Sequence, residues 1–156
     1  MQTVYRLSAL VALVAGLNAH AQGTAANAPG TPATPVTTGE DLDVKPAMAA
    51  ATNWLARLDA GAVGDTWQES STLMREAVTR EQWEKALREV KGQLGPLVAR
   101  KLVSATYTRQ LPGAPPGEYV VIQYHARYEN RALVTETVTP MRDKDGAWRV
   151  SGYYAK

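Results

Sequence analysis

The sequence predicts an α+β fold, with N-terminal helices packed on a curved four-stranded antiparallel meander. Three observations predict it. Before Gly95, apolar residues recur at three- and four-residue steps, the helical period. From Leu97 on, the chain changes to β-branched and aromatic runs. Those runs are joined by short connections, which antiparallel neighbours need.

At the front, Arg6 precedes a mostly apolar run from Leu7 to Leu17, followed by Ala19-His20-Ala21. A basic start, a short apolar stretch and an A-x-A site read as a cleaved signal peptide over residues 1–21. The run is too short to span a bilayer, which takes about 20 residues. After cleavage no transmembrane segment is expected, and the expected location is periplasmic or secreted. Residues 22–44 form an Ala/Thr/Pro-rich linker with little to bury, expected to be disordered. It reads either as a spacer or as a tolerated terminus. Residues 45–156 are expected to form a single α+β domain.

Pro46 suits the first turn of a helix. Met48, Ala51, Leu55 and Leu58 then line one face, with Trp54 beside it, and Gly61 ends it. Asp65 and Gln68 have capping-box spacing for a short second helix carrying Trp67 and Met74. Thr79 and Gln82 have the same spacing before a third helix, stopped by Gly95 and Pro96. Its stripe of Trp83, Ala86, Leu87, Val90 and Leu94 is expected to roof the sheet.

Four strands follow: 101–108, 119–128, 132–141 and 148–155. A tight turn at Asn130-Arg131 would set Tyr124 opposite Thr137 and Ile122 opposite Thr139. The covered face would then hold Val120, Ile122, Tyr124, Tyr128, Leu133, Met141, Trp148, Val150 and Tyr154. The outer face would hold Gln123, His125, Arg127, Glu136, Arg149, Ser151 and Tyr153. A one-residue slip exchanges the two faces.

This register nominates two groups of residues. Thr135, Thr137 and Thr139, with Tyr124 and Tyr154, would line a hydroxyl-bearing ligand pocket under the helices, or would be ordinary strand threonines. His125 and Glu136 would sit side by side outside. They read as a base with its orienter or as a polar cross-strand pair. Asp59, at the first helix's end, is a general-base candidate or a turn residue.

Other chemistries are excluded. The chain has no cysteine, so it has no disulfide framework and no thiolate chemistry. Nucleotide-binding, serine-hydrolase and zinc-protease motifs are absent. One histidine remains after signal removal, so no metal site and no cofactor are expected. A formal charge of +2 points to no nucleic acid.

Several strings resemble a bacterial exported family, the domain of unknown function numbered four thousand and nineteen. They include residues 54–55 and 59–61 (WL and DAG), 66–68 (TWQ), 80–83 (REQW), 104–108 (SATYT), 111–115 (LPGAP), 117–123 (GEYVVIQ), 136–141 (ETVTPM) and 148–154 (WRVSGYY). The resemblance implies a signal-bearing, single-domain protein with no established activity and no catalytic residues to carry over. The element order also resembles the cystatin-like and nuclear-transport-factor-2-like folds, in which a long helix crosses a bent meander. The leading functional expectation is a non-catalytic binding or interaction module of the cell envelope, recognising an envelope protein or a small ligand. The alternative is a small acid–base enzyme, isomerase- or dehydratase-like, using a cone-shaped pocket between helix and sheet. A homo-oligomer formed through the outer sheet face or an edge strand is a further expectation.

Overall fold

The computed structural model describes residues 44–156. The predicted signal peptide, and all but the last residue of the predicted linker, lie outside the described residues. Four helices come first: α1 (Lys45–Asp59), α2 (Val63–Gln68), α3 (Thr72–Ala77) and α4 (Arg80–Leu94). Four strands follow: β1 (Leu97–Thr108), β2 (Tyr119–Tyr128), β3 (Arg131–Arg142) and β4 (Trp148–Ala155). They form one antiparallel sheet in the order β1-β2-β3-β4. The α+β meander is thus as the sequence predicts, and β2 and β4 have the predicted bounds.

The helix ends follow local chemistry. Thr79 and Gln82 make the reciprocal capping box that opens α4. Gly95 closes α4 with φ 74°, and a Cβ there would sit 3.0 Å from the Asn130 side chain. The expected second helix is in fact two. Ala62, not a polar cap, precedes α2, and Ser71 caps α3 by accepting from the Met74 N–H. The break is made by serines that compete for backbone groups. The Ser70 hydroxyl donates to the Thr66 carbonyl, and Ser71 is already extended.

Contrary to expectation, α1 rather than α4 lies across most of the sheet, against β2, β3 and β4. Its buried residues explain this. Ala47 and Ala51 let the helix backbone approach closely, while Trp54, Leu55 and Leu58 fill the space beside Val120, Ile122, Val138 and Val150. The charge-rich α4 packs chiefly on α2. Its Trp83 ring packs at a tilt 5.9 Å from Trp54, which in turn lies 5.5 Å from Tyr153 on β4. At its other end, Leu94 joins Ala126, Tyr128, Val134 and Ala155 in a second apolar cluster.

The predicted register between β2 and β3 is wrong by one residue. Tyr124 faces Glu136, and Ile122 faces Val138. The turn is Glu129-Asn130 rather than Asn130-Arg131, with Tyr128 opposite Arg131. It is held from outside the hairpin, because the Glu129 and Asn130 N–H groups donate to the Pro96 and Leu94 carbonyls. An irregularity between Ala126 and Tyr128 then sets the remaining pairs. Every β3 side chain therefore changes face. Val134, Glu136 and Val138 are buried, and Leu133, expected inside, is 63% exposed.

On β4, Val150 is buried as predicted, but a bulge at Ser151 reverses the parity beyond it. Tyr153 points to the core and Tyr154 pairs with Thr137 on the outer face. Pro140, opposite Val150, has no N–H for the ladder, which favours an irregularity there. The Ser151 hydroxyl donates to the Thr139 carbonyl.

Thr66 ties the helical layer together. Its hydroxyl accepts from the Trp83 indole N–H at 2.9 Å, and its carbonyl accepts from the Trp54 indole N–H at 2.8 Å. Thr66→Val keeps the shape but leaves a buried indole donor unpaired. It is expected to destabilise the fold by about 1–3 kcal/mol in urea unfolding, whereas an Asn53→Ala change on the exposed side of α1 is expected to fall within about 0.5 kcal/mol.

Candidate functional site

The register brings together a set of residues that the sequence left apart. Arg100 on β1 lies opposite the small Ala126 on β2. A small residue there leaves room for the guanidinium to reach across β2 to Glu136 on β3. Its Nε donates to Glu136 Oε2 at 2.5 Å, and one Nη donates to Oε1 at 3.1 Å. The same guanidinium bonds both oxygens of Asp59, at 2.6 and 3.1 Å. Asp59 is the last residue of α1, where the helix dipole disfavours a negative charge. Arg100 and Lys91, whose Nζ is 3.7 Å away, supply the counter-charge.

Tyrosines complete the cluster. Tyr128 and Tyr153 donate their hydroxyls to Glu136 Oε1 at 2.6 and 2.7 Å. Lys91 also stands 5.4 Å over the Tyr128 ring. Glu136 is fully buried, and two carboxylates are balanced by two cations. Among the described residues, no buried side-chain nitrogen or oxygen lacks a hydrogen-bond partner.

Burial by itself would raise the Glu136 carboxyl, but Arg100 and the two tyrosine hydroxyls outweigh it and hold it below the usual range. Tyr153 is raised well above its ordinary value, by burial first and then by the neighbouring Glu136 charge. Tyr128 is raised for the same reasons. For Arg100, the loss of hydration is outweighed by its two carboxylates, and it stays charged.

The predicted pocket residues do not share a face. Tyr124 is buried under the helices, but Thr135, Thr137, Thr139 and Tyr154 stand on the opposite face. His125 lies across from Thr135, not Glu136, and the two members of the expected surface pair occupy opposite sides of the sheet. Asp59 is neither a free base nor a turn residue. It is clamped by Arg100. A hollow of about 70 Å³ opens between the end of α4 and the sheet, lined by Glu89, Val90, Gln93, Leu94, Arg131, Ala155 and Lys156. None of the expected site residues borders it. Sequence reading missed Arg100, Lys91 and Tyr153. The sole local signal for Arg100 was an arginine just before a strand, which reads equally well as a solvated end.

No group of three or more His, Asp or Glu side chains able to hold a metal occurs among the described residues. Residues 50–153 match the model of a family described as Protein of unknown function (DUF4019). The chain belongs to that family. No curated protein and no solved structure matches the chain. Family membership covers α1 from its second turn through most of β4, so every member of the Arg100 cluster falls within the matched region.

Removing Arg100 strands a buried carboxylate. Arg100→Ala is expected to cost about 3–5 kcal/mol, and Glu136→Gln, which keeps the shape, about 1–3 kcal/mol, both read from urea midpoints. The same cluster sets a pH window. Glu136 is depressed on folding, so its contribution is present above the unfolded value near 4.3 and is lost as pH falls through the folded one. The two tyrosines are raised, so their contribution is present below about 10 and is lost as pH rises further. Thermal unfolding across pH is expected to show a plateau between those limits, and Glu136→Gln is expected to flatten the acid arm.

Proposed function

We propose that the chain is an exported, non-catalytic binding module of the bacterial cell envelope, with the uncovered face of its sheet as the recognition surface. One contrast carries this reading. The covered face is filled by α1, and its single buried carboxylate has both oxygens engaged by Arg100 and two tyrosines. The opposite face presents Gln123, His125, Thr135, Thr137 and Tyr154, and no helix packs over it among the described residues.

A general acid or base needs a proton that moves and a space for substrate beside it. Glu136 is held charged with no open side, the hollow near α4 is far below the roughly 300 Å³ of small-molecule sites, and the roomier one of about 490 Å³ at the β1–β2 loop is lined by Gln110, Leu111, Pro112, Ala114 and Pro116, with no ionisable side chain. These facts support binding over acid–base turnover. Export rests on the Arg6-to-Ala21 pattern, and the composition of residues 22–44 supports a tether between the surface of export and the folded part.

Two measurements test the reading. Fractionation of cells expressing the whole sequence is expected to release a mature chain beginning at Gln22. A full-length chain retained in the cytoplasm would remove the envelope assignment. A photo-cross-linking side chain placed at Gln123 is expected to form adducts in envelope extract, while one at Glu81 on α4 is not. Adducts from Glu81 alone would move the recognition surface to the helices.

A further inference from the structure

One row of side chains crosses the entire outer face. Lys101 on β1 lies opposite His125 on β2, and His125 opposite Thr135 on β3. Thr135 exchanges both backbone hydrogen bonds with Lys156, at 2.8 and 3.1 Å. Arg127 stands two residues from His125 on the same face, and Leu133 stands two residues from Thr135. The row therefore spans four strands, about 14 Å. Its uncompensated cations are Lys101 and Arg127, and neither takes part in an ion pair among the described residues. Glu129, in the adjoining turn, is a carboxylate that is also in no ion pair among the described residues.

Two features select the partner. The excess of unpaired positive charge calls for an anionic surface. Leu133, 63% exposed on the same face, calls for an apolar layer beneath that charge. A soluble polyanion would satisfy the cations and leave Leu133 in water. It is also ordinarily tracked by a groove, whereas this row lies on an open sheet face. A bilayer interface accepts both, because Lys and Arg stems lie along the boundary while their heads meet lipid phosphates. We propose that this row docks the chain on the anionic headgroup surface of a lipid bilayer, with Leu133 entering the apolar boundary. The inference rests on the outer face being the recognition surface.

Vesicle co-sedimentation of the purified chain tests it. Binding is expected to vesicles of equal parts phosphatidylcholine and phosphatidylglycerol, but not to pure phosphatidylcholine, and to weaken with added salt. Lys101→Glu with Arg127→Glu is expected to weaken it about tenfold or more. Leu133→Ser is expected to weaken it severalfold, and Lys144→Glu, in the turn after β3, to leave it unchanged. Circular dichroism checks that each variant is folded. Equal binding to both vesicle types, no binding, or no effect of the double reversal would overturn the proposal. So would polyphosphate binding as tight as vesicle binding together with an indifferent Leu133→Ser, which would assign the row to a soluble polyanion. Gln123 adducts to an envelope protein without vesicle binding would overturn the lipid assignment and leave the outer-face reading standing.

Discussion

Arg100 holds Glu136 and Asp59 at once, and through them it joins β1, β3 and the end of α1. A carboxylate moved from water into a protein interior costs several kcal/mol unless its lone pairs are met. Glu136 is fully buried, and the guanidinium and the two tyrosine hydroxyls are what offset that cost. That requirement reaches beyond the cluster. If β3 slipped by one residue, Glu136 would leave Arg100 and Thr135 and Thr137 would enter the core. The ion pair therefore selects a register as well as contributing to stability. Because a buried pair is a poor source of net stability, selection of one arrangement is the better account of why so polar a group lies inside.

The helical layer attaches by different means. Ala47 and Ala51 bring α1 onto the sheet, and Trp54 fills the ridge between β4 and α4. Two indole N–H groups then need acceptors in a dry place, and Thr66 serves both. Asp143 does similar work at the far end, where it accepts from the backbone N–H and hydroxyl of Thr72 and fastens the β3–β4 turn to α3. Burial would raise that carboxyl, but those donors and Arg149 hold it below its ordinary range. One side of the sheet is thus occupied by the helical layer.

The misreadings share a cause. On β3, alternation offers two faces, Val134-Glu136-Val138 or Thr135-Thr137-Thr139. A charge normally marks the wet face, so Glu136 pointed the wrong way. Its partner lies 36 residues earlier on another strand, and no local pattern announces it. The Ser151 bulge is equally silent, since it depends on Pro140 lying across the ladder. Because a single residue reverses parity, two small misplacements moved Tyr153, Tyr154 and all three threonines.

By itself, the sequence determined the α+β class, the four strands, the capped α4 and the ends of β2 and β4. Each of these is written in neighbouring residues: the Thr79–Gln82 box, the Gly95 stop, the runs of Val, Ile and Tyr. Tertiary structure alone decided which helix covers the sheet, which face of β3 is buried, and that Asp59, Lys91, Arg100, Tyr128, Glu136 and Tyr153 meet. The physical reason is range. Caps and periodicity act over a few residues, whereas the cost of burying a charge is settled only when a distant strand delivers the opposite one.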